Sequence, residues 1–151
     1  MQKKVSLAVV VMSLLSGCAS VTMESKDKSD MAKQFAAPAA DKAGLYIYRT
    51  GFVGGALKKD VWLDGACVGE TAPDIFFYET VAGGEHKIST ESEFSPNDLV
   101  LKVENGQNYF IRQYIKLGVF VGGAGLEVVD AAKGKEEVAK LALATKGNCS
   151  K

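Results

Sequence analysis

The 151-residue sequence has one histidine, three cysteines, one tryptophan and three prolines. Metal chemistry has little to work with, because His86 stands alone and Cys18, Cys67 and Cys149 never approach a C-x-x-C spacing. Charge of one sign is missing too. Eighteen basic residues balance 18 acidic ones, so no field draws nucleic acid from a distance and no nucleic-acid partner is expected. No apolar run reaches the roughly 18 to 20 residues of a membrane-crossing helix. Ser89, Ser92 and Ser95 lie in no nucleophile elbow. Glu79, Glu85, Glu91 and Glu93 fall on expected strands or turns, where acidic residues usually face water, and form no obvious pair for glycosidic chemistry. No cofactor and no enzymatic activity are expected; the rival reading is a cell-wall or lipid hydrolase that uses His86 or an acidic pair as its base.

What the chain does have begins at its N-terminus. Lys3-Lys4, a mostly apolar stretch from Val5 to Leu15 and the small residues Ser16-Gly17 follow the three-part grammar of a secretory signal. Leu15-Ser16-Gly17-Cys18 resembles the processing box of bacterial lipoproteins. The resemblance implies a cut before Cys18, lipid on Cys18, and loss of residues 1–17. Several acyl chains anchor stably where one binds only marginally, so the membrane is the expected partner through Cys18. Ala19, rather than aspartate, after the cysteine resembles the sorting signal for the outer membrane and implies a periplasm-facing domain.

Residues 18–42 change to a composition of Ser, Lys, Asp and Ala without sustained apolar period, as in Ser25-Lys26-Asp27-Lys28-Ser29-Asp30. This reads as a flexible tether that holds the domain on the order of 25 Å from the bilayer. A short helix around Met31 to Phe35 would end at Ala36-Ala37-Pro38. The folded domain is expected over residues 43–151.

Short strands separated by turn signals dominate that domain. They are read at Leu45–Arg49, Lys59–Leu63, Ala66–Val68, Ile75–Val81, Glu85–Ser92, Leu99–Glu104, Tyr109–Lys116 and Leu126–Val129, with Asp64-Gly65 as a two-residue hairpin turn and Ser95-Pro96-Asn97 as another break. Leu99, Leu101 and Val103 share one face, while Lys102 and Glu104 share the other. Asp130 suits the cap of a helix over Ala131–Ala142 in which Val138, Leu141 and Ala142 form the apolar stripe, Lys135, Glu136, Glu137 and Lys140 face solvent, and Gly134 weakens the first turn by roughly 1 kcal/mol. The fold class is therefore mainly β, an antiparallel sandwich of about seven or eight strands with one C-terminal helix packed on one end.

Val61-Trp62-Leu63-Asp64-Gly65-Ala66-Cys67-Val68-Gly69-Glu70-Thr71, followed by Ala82-Gly83-Gly84-Glu85-His86-Lys87-Ile88, resembles the PEGA type of extracytoplasmic β-sandwich, with Ala-Gly-Gly where the motif carries proline. A wider resemblance spans about Lys42 to Lys140 and includes Gly44-Leu45-Tyr46-Ile47-Tyr48-Arg49, Tyr109-Phe110-Ile111-Arg112-Gln113 and Gly118-Val119-Phe120-Val121-Gly122-Gly123. It is similar to the bacterial lipoprotein family catalogued as domain of unknown function twenty-eight forty-six. That resemblance implies a sandwich and an anchor, and carries no activity.

Three features invite a functional reading. Gly51–Leu57 and Val119–Leu126 share an F-V-G-G-A core that lacks the G-K-[ST] of a phosphate loop. Either glycine relieves close backbone approach at bent strand ends, or Phe52 and Phe120 form an exposed patch for an envelope protein, the cell wall or the membrane surface. Phe110, Arg112, Tyr114 and Lys116 alternate with Tyr109, Ile111, Gln113 and Ile115, which gives a ligand-facing surface or a half-buried face with stacked cations and rings. Cys67 and Cys149 remain once Cys18 carries lipid, and an oxidising periplasm lets them pair as one disulfide. The expected role is a lipid-anchored binding or structural module.

Overall fold

The structure is a computed structural model that describes residues 18–92 and 97–150. The expected leader over residues 1–17, Glu93 and the Ser95-Pro96 part of the expected turn lie outside the described residues.

Among the described residues, nine strands and two helices follow the order α1 (Lys26–Ala32), β1 (Ala43–Arg49), β2 (Lys59–Leu63), β3 (Ala66–Thr71), β4 (Ile75–Val81), β5 (Gly84–Thr90), β6 (Asn97–Val103), β7 (Asn108–Lys116), β8 (Gly123–Val129), α2 (Ala131–Val138) and β9 (Ala142–Leu143). They build two sheets, ordered β8-β7-β1-β4-β9 and β3-β2-β5-β6. The sandwich is as expected. The four-stranded sheet is antiparallel throughout, whereas the five-stranded sheet is mixed: β1 runs parallel to β7, and β9 parallel to β4.

β1 explains the layering. All seven of its residues are buried, which requires cover on both faces. Ala43, Leu45 and Ile47 meet Val61, Val68, Phe77, Ile88, Val103 and Ile111 between the sheets. Tyr46 and Tyr48, one residue out of phase, meet Phe76, Phe110, Val138 and Leu141 on the outer face. The C-terminal helix thus lies across a sheet face instead of at one end of the sandwich. On β6, Leu99, Leu101 and Val103 face the core as their alternation requires.

The Asp64-Gly65 turn has both residues at positive φ, 51° and 83°, the geometry that joins β2 to β3 in two residues. Asp130 caps α2 by accepting a hydrogen bond from the Lys133 amide at 3.0 Å. The helix stops at Val138, short of the expected Ala142. Leu141 N and Lys140 N donate to carbonyls three residues back, and Ala142 leaves to pair with Ile75, its side chain exposed. Glu137 is no solvent residue either: it accepts a hydrogen bond from the Tyr48 hydroxyl and pairs with Arg112 at 3.4 Å.

The expected tether is part of the domain. Ser25 caps α1, and buried Ser29 accepts a hydrogen bond from Leu143 N at 3.1 Å. Phe35 packs edge-on against Tyr46 and Phe110, with centroids 5.3 and 5.8 Å away. Upstream, Val21 packs on the inter-sheet core, Met23 bridges to Ala144, and Thr22 O accepts from Thr145 N at 2.9 Å. The stretch reads as polar because backbone bonds and a few small side chains hold it, not an apolar stripe.

Candidate functional site

The parallel ladder between β1 and β7 sends the chain out of both strands at the same end of the sandwich. The two F-V-G-G-A loops therefore meet. A side chain at Gly54 would strike Ile115 at 2.8 Å, and one at Gly122 would strike Leu57 at 2.5 Å. Glycine relieves close approach at their bases while Phe52 and Phe120 stand 96% and 86% exposed at their tips. The two readings of these loops describe different parts of them.

Arg49 fixes the first loop. The residue is 1% exposed, and its guanidinium donates to Gly54 O and Leu57 O, each at 2.6 Å. Burial lowers its pKa, opposed by the nearby Asp74 carboxylate, which accepts a bond from Gly51 N at 3.3 Å. Sequence reading passed over Arg49 in this role. Its parity with Leu45 and Ile47 was the available signal, since it points the side chain inward.

The exposed, free Cys18 lies at the same end. Ala19 N donates to Gly55 O at 2.9 Å, so the residue after Cys18 is hydrogen-bonded to the first loop. Beneath the loops a polar plug joins the sheets. Gln113 donates to Thr90 Oγ1 at 2.8 Å and accepts from the Thr71 hydroxyl, and Thr90 donates to Asp60 O at 2.8 Å. All four residues are buried.

Cys67 and Cys149 are joined as a disulfide, Cα atoms 6.1 Å apart. The C-terminal segment lies along β3, with Gly147 N on Val68 O at 2.8 Å and Glu70 N on Asn148 O at 2.7 Å. Ser150 donates to the Asp60 carboxylate from both N and Oγ.

His86 is committed to structure. Nδ1 faces Asp64 Oδ2 at 2.6 Å and Nε2 faces Ala82 O at 2.8 Å. Two acceptors favour the doubly protonated ring, and the Asp64 bond in particular holds the His86 pKa above its ordinary value. A ring that donates at both nitrogens offers no free lone pair to a substrate. Of the acidic residues, Glu79 pairs with Lys146 at 2.8 Å and Glu91 with Lys59 at 4.0 Å. On the outer face of β7, Phe110 is buried under α2, Arg112 pairs with Glu127 and Glu137, and Lys116 lies 5.8 Å from the Tyr114 ring centre. This is the half-buried stacked face.

The described residues also form concavities away from the loop tips. A polar cleft of about 400 Å³ is lined by Thr22, Glu70 and Asn148, with Lys58 and Glu70 paired across it at 3.8 Å. An apolar one of about 370 Å³ lies between Met31, Ala36, Tyr78 and Leu143.

Residues 39–124 match the family described as Protein of unknown function (DUF2846). The chain belongs to the DUF2846 family. A DUF2846-containing chain is also similar to an uncharacterized protein of Haemophilus influenzae, 59% identical over 131 residues, which covers 87% of this chain and 78% of that one. No solved structure matches. The DUF2846 match takes in β1 to β7, the polar plug and both loops up to Ala124, and it leaves α1, α2 and Cys149 outside.

Proposed function

We propose that this DUF2846 protein is a lipid-anchored envelope lipoprotein, held in the outer membrane through Cys18 and facing the periplasm, where its PEGA-like sandwich acts as a binding or structural module for an envelope protein or the cell wall. The observation that carries the reading is the state of Cys18: it is exposed and free while the other two cysteines are paired with each other. The lipoprotein-type box before it supports acylation, and the disulfide supports an oxidising compartment. Hydrolysis by His86 is the weaker reading, because both ring nitrogens are engaged.

Radiolabelled palmitate fed to cells tests the anchor. The wild-type protein takes up label and sediments with outer membranes, and Cys18→Ser does neither; label retained on Cys18→Ser contradicts the proposal. Crosslinking in intact cells then identifies the partner.

A further inference from the structure

We propose that the two F-V-G-G-A loops are a membrane-insertion surface that seats the domain directly on the bilayer beside its own anchor. The inference rests on the lipid-anchor reading of Cys18 and adds where the domain touches the membrane, and with which residues.

The chain leaves no slack for any other arrangement near the anchor. Ala19 is hydrogen-bonded to Gly55 in the first loop, Val21 is packed on the core, and Thr22 and Met23 are bonded to the C-terminal segment. Acyl chains on Cys18 therefore enter the bilayer within a few residues of Phe52, and the loops cannot stand far from the headgroups.

The chemistry of the loops suits that position. Thr50–Leu57 and Leu117–Leu126 carry no charged residue. Phe52, Val53, Leu117, Val119, Phe120 and Val121 are exposed, six of the eleven large apolar side chains exposed among the described residues. Lys58 and Lys116 directly follow and precede these stretches; Lys58 pairs with Glu70 at 3.8 Å and Lys116 lies over the Tyr114 ring, and at the headgroups both ammonium groups exchange these exposed contacts for lipid phosphates while their stems cover apolar surface. The base is rigid, since Arg49 holds two loop carbonyls and Ile115 and Leu57 fill the space over the glycines. A rigid base with aromatic tips enters an interface without first refolding, and insertion by about 5 to 10 Å reaches the acyl boundary. A lipid surface is favoured over a protein partner because the anchor itself brings that surface to the loops.

Bromolipid quenching tests the arrangement. Acylated protein purified from membranes is placed in phosphatidylethanolamine and phosphatidylglycerol vesicles whose acyl chains carry bromine near the headgroups. Trp62, the only native tryptophan, lies in β2 of the other sheet and reports the body of the domain. In Phe52→Trp and Phe120→Trp, each combined with Trp62→Phe, the loop tryptophans quench on the order of threefold more than Trp62 does in the wild type. Intact mass of each sample verifies acylation. Acylated, vesicle-bound protein whose loop tryptophans quench no more than Trp62 overturns the inference while the anchor stands. Loop tips that crosslink to a second copy in place of quenching overturn it in favour of self-association. Protein with no acyl chain on Cys18 overturns the anchor reading and the inference together.

Discussion

Gly134 sits where a helix and an aromatic ring compete for the same space. Alanine is the better helix former by about 1 kcal/mol, but a Cβ at this position would overlap the Phe110 ring and its Cβ. Overpacking of a buried contact costs roughly 1 to 3 kcal/mol, and Phe110 is stacked on Tyr46, at 5.0 Å between centroids, with little room to retreat. Gly134→Ala therefore lowers stability in urea denaturation, whereas propensity alone would raise it; a gain contradicts the packing. The Asp64–His86 pair gives a second expectation at this scale. The hydrogen bond from His86, with that from Lys87 N, holds Asp64 below its ordinary 3.8, and the same pair holds His86 above its ordinary 6.5. His86 thus stabilises the fold fully below its unfolded pKa, and that contribution is lost as pH rises through its folded value. Asp64 contributes above its unfolded pKa, and its contribution is lost as pH falls through its folded value. In an NMR titration Asp64→Asn brings the His86 pKa down toward 6.5; an unmoved His86 contradicts the pairing. The Asp64-Gly65 turn was legible from residue type, as was the cap at Asp130. The partners of Glu137 and Gln113 were not: Tyr48 reaches Glu137 from β1, the strand beside β7, and Thr71 and Thr90 reach Gln113 from β3 and β5 of the other sheet.

At the scale of elements, β1 to β8 were read with ends within a few residues, since β-branched and aromatic alternation between turn residues is a local signal, whereas β9 was not read as a strand. α1 was not legible. It has no apolar stripe, and its seven residues are held by a serine cap, the bond from Leu143 N to Ser29 and the packing of Phe35 beyond its end. α2 was overextended because Leu141 keeps the helical spacing while its neighbour Ala142 pairs with β4. The C-terminal segment is tied to β3 by the disulfide, which spans 82 residues of sequence. In the chain-entropy model a loop of that length is worth about 4 to 5 kcal/mol. Paired replacement by Cys67→Ser and Cys149→Ser lowers unfolding stability by that order, and reductant added to the wild type does the same. Unfolding indifferent to reductant contradicts a structural disulfide.

For the whole molecule, composition and strand spacing were enough for a sandwich, but not for its wiring. Parallel pairing of β1 with β7 joins residues about sixty apart and leaves no local mark. That ladder brings the two F-V-G-G-A loops together, because an antiparallel partner would send them to opposite ends. The second long-range feature is the clamp over residues 19–24, which replaces a loose tether with a chain fastened to the first loop and the C-terminal segment. One molecule results, with its free cysteine and its apolar loops at one end and the Asp64-Gly65 turn at the other. Lipid on Cys18, as proposed, makes that end the membrane end. Intact mass spectrometry of protein extracted from membranes tests this most directly. The expected species is a chain that begins at Cys18 and carries the added mass of its acyl groups; a chain that keeps residues before Cys18, or begins there with an unmodified thiol, contradicts the anchor.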